Sequence, residues 1–524
     1  MTARPEDIRN AAWAACDTFR GAIDADQYRH YVLVMLFLKY ISDQWDAHAA
    51  DYRKQYKDMP ESMRELRVQR DMKRERFALP EVTLYDKDDA PIDRFLGSFH
   101  SLYERRQADN IGELINITLD AIEKANEQKL PGVLRNVDFN SESNLGSTRE
   151  RNRRIKQLLE DFNKPELDLR KVGEDIIGDA YIYLIERFAT EGGKKAGEFF
   201  TPRKVSELVA KLARPEPGDT ICDPACGSAS LLLRAGEEVP GNKKNFRLFG
   251  QESNAQTLGL AKMNMFLHGM DSASLVRCNT LTDPGLLQGD ALLRFDIVVA
   301  NPPFSLDKWG AEEVKDDRWH RFTRGIPPKS RGDYAFILHM LAIAKPGEGR
   351  IAVVVPHGVL FRGGAEGRIR ESIVRDNLLD AVIGLPAQLF PTTGIPVCIL
   401  VFDRAREAGG LREHEREVLF VDASRDFQPG KRQNQLREED LQRIVDTCRE
   451  RREVPRYSHL ADLAEIEGNG FNLNIPRYVD TYEPEAEIDL QAVQRTIEDL
   501  EKQLADARKQ MNRYLKELGI DVRG

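Results

Sequence analysis

Asn301-Pro302-Pro303-Phe304 is the run whose residue types most directly suggest a reaction. It closes an apolar stretch, Phe295 to Ala300, that predicts a buried strand. At the mouth of a parallel sheet such a turn offers two acceptors, the Asn301 side-chain carbonyl and the Pro302 backbone carbonyl. Phe304 adds a stacking face. Two acceptors aimed at one exocyclic NH2 suit methylation of an amino nitrogen. Asn and Pro are also ordinary turn residues, so the run alone reads equally well as a proline turn that ends a strand.

Upstream residues separate the two readings. Asp223-Pro224-Ala225-Cys226-Gly227-Ser228-Ala229-Ser230 follows a predicted strand, Thr220 to Cys222, and precedes an apolar helix, Leu231 to Ala235. A turn of small residues there lets backbone amides approach a ligand. The next predicted strand ends at Gln251-Glu252, and an acidic residue in that place can accept hydrogen bonds from two ribose hydroxyls. The pair implies a nucleoside-containing cofactor, although each piece alone is also a plain strand-to-helix turn. Further upstream, Gly197-Glu198-Phe199-Phe200-Thr201-Pro202-Arg203 leads into a predicted helix from Lys204 to Leu212. Thr201 suits the N-cap and Pro202 the first helical position. The two phenylalanines are placed to cover an adenine ring, and the helix-terminal amides to hold a carboxylate.

The elements that must position these residues fall into three stretches. Residues 6 to 150 are charged and helical in period, with Trp13, Phe19, Tyr28, Val32, Leu36 and Tyr40 at helical spacing. Arg149, Arg151, Arg153 and Arg154 open another helical stretch after a polar loop, Asn136 to Ser147, and read as a solvated face. From about 170 short apolar strands alternate with amphipathic helices: Thr220–Cys222, Phe246–Gly250, Phe295–Ala300, Arg350–Val355, Leu379–Leu385 and Val397–Phe402. That alternation predicts an α/β domain with a mostly parallel sheet. The final run, about 485 to 518, predicts one long amphipathic helix whose apolar stripe needs a partner. The expected divisions are 1–165, 166–480 and 481–524.

Composition narrows the class. The chain has 524 residues, 41% hydrophobic and 31% charged, which describes an ordinary globular protein. Its net charge of -9 excludes gripping nucleic acid through an overall positive field. Action on DNA would need a local groove or a partner to make the phosphate contacts. Cys222 and Cys226 are the only close pair of six cysteines, and no nearby histidine pair completes a zinc site. Structural thiols in a reducing cytosol are expected, with no metal. The polar start, MTARPEDIRNAAW, lacks a signal-peptide core, and the Tyr31–Leu38 run is too short to span a bilayer. A cytoplasmic protein with no membrane contact is expected.

The order GEFFTPR, DPACGSAS, QESN, NPPF resembles the S-adenosylmethionine-dependent amino-methyltransferases. More closely it resembles the methylation subunits of type I restriction–modification systems, the HsdM family. The similarity continues through RGDYAFILHML (331–341), VVVPHGVLFRGGAEGRIR (353–370), VIGLPAQLFPTTGIPVCILVF (382–402) and FNLNIPRYVD (471–480), and covers nearly the whole chain. It implies a Rossmann-like methyltransferase domain, an α-helical N-terminal domain and a long C-terminal helix. The implied reaction moves methyl from S-adenosylmethionine to N6 of a flipped-out adenine in DNA. Asn301, Pro302, Pro303 and Phe304 are then catalytic. Glu198, Phe199, Phe200, Thr201, Pro202, Arg203, Asp223, Gly227, Ser228, Ala229, Ser230, Glu252 and Asn279 are then cofactor-binding. The resemblance also implies a specificity subunit that reads the DNA, two methylation subunits around it, and an ATP-dependent restriction subunit in some systems. This chain has no Walker A pattern of its own.

Two stretches depart from the family's pattern: Ala229 and Ser230 stand where a further Gly is common, and Asn279 where Asp is common. Three other readings remain on the sequence: a glutamine or ribosomal-RNA methyltransferase, a stand-alone DNA methyltransferase, and a silent scaffold of a DNA-binding complex.

Overall fold

A computed structural model describes residues 4–191, 200–241, 245–391, 393–431, 433–481 and 490–519. Residues up to Val479 form one compact unit, and those from Asp480 onward a second.

The first part of the larger unit is helical. Its central helix, Ala25–Gln55, contains neither Pro nor Gly. The run Tyr31–Leu38 within it is at most 3% exposed, because the helices Phe99–Glu104, Thr148–Phe162 and Glu174–Glu191 pack around it. The long amphipathic stretch of the sequence is broken near Gly21, which has φ 76°, so the chain turns between Pro5–Ala14 and Ala25–Gln55. A hairpin that the sequence pattern did not disclose pairs β1 (Glu81–Tyr85) with β2 (Pro91–Leu96).

The α/β part holds a nine-stranded sheet. Its members are β3 (Thr220–Asp223), β4 (Arg247–Glu252), β5 (Ser274–Arg277), β8 (Ile297–Ala300), β9 (Arg350–Pro356), β10 (Leu379–Gly384), β11 (Val397–Asp403), β12 (Val418–Asp422) and β13 (Ser458–Ala461). A two-stranded excursion, β6 (Leu287–Gln288) with β7 (Ala291–Leu292), precedes β8. The spatial order is β13-β12-β10-β11-β9-β8-β3-β4-β5. Strands β9, β8, β3, β4 and β5 run parallel, β11 runs antiparallel to β9 and β10, and β13 antiparallel to β12. The order reverses between β8 and β3, a topological switch point where ligands sit beyond the carboxyl ends of strands.

Both faces of the sheet are covered. On β8, Ile297 and Val299 join one apolar cluster while Val298 and Ala300 join the other, as the two-residue period of a strand requires. The helix after β4, Ala255–Leu267, is buried on two sides. Leu258, Ala261 and Met265 belong to the sheet's core, whereas Leu260, Met263, Phe266 and Leu267 belong to the core of the helical part. At the other end of the strands, Asp380 of β10 accepts from Arg350 (3.1 Å), Arg406 (2.7 Å) and Arg451 (2.7 Å), with Arg412 at 3.4 Å. These guanidiniums hold its carboxyl far below the usual range despite burial.

In the second unit the helix Leu490–Glu517 runs for 28 residues. Leu490, Val493, Ile497, Leu500, Leu504, Ala507, Met511, Tyr514 and Leu518 alternate at steps of three and four, the spacing of a coiled-coil seam. Leu500, Leu504 and Met511 are more than half exposed within the unit.

Candidate active site

Strand β8 delivers Asn301 to the carboxyl end of the sheet at the switch point. The Asn301 Nδ2 donates to the Thr201 hydroxyl at 3.0 Å. Its Oδ1 is buried and has no partner. A buried amide oxygen with no donor is costly, so this acceptor is set for a group the protein itself does not supply. Thr201 therefore does not cap the helix Arg203–Ala213. Pro202 holds the N-cap position with no side-chain hydrogen bond, and the Thr201 hydroxyl is turned to Asn301 instead.

Phe304 is half-buried and meets Phe390 edge-on, with ring centroids 5.7 Å apart. The next residue, Ser305, has φ 49°, and its N–H donates to Asp333 at 2.7 Å. Arg362 donates to the other oxygen of Asp333 at 3.0 Å and to the Ser305 hydroxyl at 3.4 Å. The exit from the turn is thus pinned by side chains of two later motifs.

A cavity of about 320 Å³ opens beside the turn, lined by Ala225, Gly227, Glu252, Asn279, Asn301 and Pro303 among others. A narrow cleft continues from Gly227 and Asn301 toward Thr201, Asp223, Ser228 and Ser230. The loop that joins the two spaces is strongly bent, with Gly227 at φ 54° and Ala229 at φ 62°. The Gly227 N–H donates to one Glu252 oxygen at 3.2 Å and the Asn254 N–H to the other at 2.7 Å. Burial raises the Glu252 carboxyl above its ordinary value. Burial, with Glu252 nearby, pushes Asp223 up to about 7 against the lowering effect of the Ala225 N–H. Asn279 turns its Oδ1 back onto the Leu281 N–H at 3.1 Å, which leaves its amide nitrogen for a ligand.

The structure brings Asn301, Pro303, Thr201, Asp223, Gly227, Ser228, Ser230, Glu252 and Asn279 around these two connected spaces. It does not bring Phe200 there. That ring is 4% exposed and packs in the core of the helical part, so it does not cover the cavity. Arg203 is exposed at the helix start and lines neither space. Glu198 and Phe199 lie outside the described residues. Leu281, Trp309 and Phe336 line the cavity and were not singled out from the sequence. Phe336 lies inside the RGDYAFILHML motif, which was a usable signal; Trp309 stands in a connection with no periodic pattern.

These residues fit S-adenosylmethionine: an orphaned amide oxygen, a small-residue cradle, and two buried carboxylates beside a space able to take a cationic nucleoside. Fold and site together define a Rossmann-like methyltransferase.

The sequence profile of the N-6 DNA methylase family matches residues 172–487, and that of the HsdM N-terminal domain matches residues 8–162. The MpnII type I restriction enzyme methylase subunit of Mycoplasma pneumoniae is 30% identical, with 99% of this chain and 98% of that protein covered. The HindI methylase subunit of Haemophilus influenzae is 32% identical over 72% of this chain and 84% of its own length. Among solved structures, the type I restriction-modification methyltransferase subunit from Streptococcus thermophilus superimposes with TM-score 0.77 at 34% identity, covering 91% of this chain and 100% of that one. The chain belongs to the N-6 DNA methylase family, S-adenosylmethionine-dependent enzymes specific for adenine in DNA, as a methylation subunit of a type I restriction–modification system.

Proposed function

We propose that the Asn301–Phe304 turn carries out the methylation, acting on a flipped-out adenine at a site chosen by a partner specificity subunit. The observation that carries this reading is the buried, unpartnered Oδ1 of Asn301 beside the carboxylate-lined cavity.

An adenine amino group is a poor nucleophile because its lone pair is delocalised into the ring. Hydrogen bonds from N6–H to Asn301 Oδ1 and to the Pro302 carbonyl draw the nitrogen toward tetrahedral geometry. They strengthen as positive charge develops on nitrogen, so they favour the transition state over the bound substrate. Thr201 fixes which way the Asn301 amide faces. Phe304 stacks on the base, and such stacking offsets about 1–3 kcal/mol of the cost of leaving the duplex. Glu252 receives the ribose hydroxyls, Asp223 faces the amino-acid end, and the Asn279 amide donates to the adenine ring. Bound S-adenosylmethionine supplies an electrophilic methyl on a sulfonium. No cysteine nucleophile is required, and Cys226, buried with its thiol pushed well up, serves packing.

The specificity subunit docks on the apolar seam of the helix Leu490–Glu517, with two methylation subunits to one of it, in the cytoplasm. An ATP-dependent restriction subunit is a further partner. Among the described residues no helix is long and apolar enough to cross a membrane.

Co-expression with the neighbouring open reading frames, followed by sequencing of host DNA, is expected to reveal modified adenines. None would return the question to RNA or protein substrates or to a silent scaffold. In the same complex, Asn301→Ala is expected to lower methylation at least ~100-fold while S-adenosylhomocysteine binds nearly as before. Near-normal methylation by that variant would remove Asn301 from the mechanism.

A further inference from the structure

Arg321 is 3% exposed and lies within the long connection from the catalytic turn to the helix Asp333–Ile343. Its guanidinium donates to two consecutive backbone carbonyls, Thr280 at 2.9 Å and Leu281 at 2.8 Å. Asp317 accepts from the same guanidinium at 3.0 and 2.6 Å, and His339 Nδ1 lies 3.1 Å from it. Burial and the adjacent guanidinium keep His339 neutral, so its ring nitrogen can accept.

Burying a guanidinium is costly, and a well-packed apolar side chain of similar size often serves stability as well. The fork geometry has a different use here. A planar group with five fixed donors serves all five of these contacts at once, whereas an ammonium has three donors and no fixed plane. The carbonyls belong to the loop after β5, and that loop is a junction. The Thr280 hydroxyl donates to the Pro224 carbonyl at 2.5 Å and accepts from Gln251 at 3.2 Å. The loops after β3 and β5 and the last residues of β4 therefore meet at Thr280, flanked by Asn279 and Leu281 on the cavity wall.

We propose that Arg321 is a positioning residue for the methyl donor: it fixes the Asn279–Leu281 wall of the cavity through the two carbonyls and ties that wall to the segment that begins with the catalytic turn. The proposal rests on the assignment of this cavity to S-adenosylmethionine. Arg321 does not line the cavity and acts on it only through the loop carbonyls, so its loss acts on donor affinity and not on the transfer step.

The test is calorimetric titration of the full-length protein with S-adenosylhomocysteine, paired with initial rates in the assembled complex at saturating donor. R321K keeps the charge and loses the fork. It is expected to raise Kd by at least about fivefold, with kcat at saturating donor within about twofold of wild type. A smaller rise in Kd, or a kcat loss that matches it, overturns the proposal. D317N keeps the guanidinium but removes the carboxylate that aims it, and is expected to show the same split to a lesser degree. Should R321K not fold, D317N decides alone, and an unchanged Kd overturns the role. If the wild-type protein itself binds no S-adenosylhomocysteine, the cavity assignment fails before Arg321 comes into question.

Discussion

Asp223 is held near its own titration point. Burial and the neighbouring Glu252 push it up to about 7, while a single N–H from Ala225 pulls the other way. A carboxyl raised on folding stabilises the protein fully below its unfolded value, and that stability is lost as pH rises through about 7. On the proposed assignment a bound sulfonium and ammonium would favour the ionised form, so the ligand would reverse the trend. Donor affinity is expected to increase as pH rises from about 6 to 8, by up to about tenfold per unit, with a proton released on binding at the acid end. Titrations in buffers of different ionisation enthalpy measure that proton. A flat affinity, or the same slope in Asp223→Asn, would assign the proton elsewhere. Ala229, in the loop between the two spaces, carries backbone tension. Its left-handed φ of 62° costs about 1–2 kcal/mol for a non-glycine residue. Glycine would relieve that, but it loses a buried methyl worth about 0.8 kcal/mol and adds about 0.5–1 kcal/mol of chain entropy. Ala229→Gly is therefore expected to shift stability by less than about 1 kcal/mol in urea unfolding. That balance lets alanine stand at a left-handed position of this loop.

At the level of elements, β10 is the strand most dependent on charge. Asp380 accepts from arginines that arrive from β9, from the turn after β11 and from Arg451, so one carboxylate binds three pieces of chain. Asp380→Ala strands several buried cations and is expected to cost about 3–5 kcal/mol, read from the urea midpoint. A loss under about 1 kcal/mol would mean the arginines find other acceptors. The strands read from the sequence have continuous apolar runs, such as Arg350–Pro356 and Val397–Asp403, buried on both faces, yet β12 has such a run too and was missed. Strand β5, Ser-Leu-Val-Arg, has one buried position, and the edge strand β13, Ser-His-Leu-Ala, is buried only at its two ends, so neither carried a pattern to read. The site divides in the same way. Residues at strand ends were legible because a strand and its following turn are local in sequence. Thr201 was misread as a helix cap because Thr-Pro-Arg is a sound helix start, while its partner Asn301 lies a hundred residues on. Trp309, Leu281 and Arg321 stood hidden for that reason too: only tertiary contact gives them a role.

For the whole molecule, the C-terminal helix and the larger unit carry separate duties. Deleting residues beyond about 485 is expected to abolish co-purification with the specificity subunit and leave S-adenosylhomocysteine binding unchanged, since every residue around the cavity precedes Val479. A complex that still assembles would move the docking surface elsewhere. The helix Ala255–Leu267 imposes the opposite rule on the rest of the chain. It follows directly on Glu252, yet four of its large apolar side chains are finished off by the helical part and not by the sheet. A fragment starting near residue 166 keeps the helix Glu174–Glu191 against this face but loses Ala25–Gln55 and the rings of Phe37 and Phe77 that cover Phe266, and is expected to be recovered aggregated. In this chain the catalytic part is therefore not a detachable cassette: a gene fragment that encodes it alone would encode a product with an apolar face left uncovered.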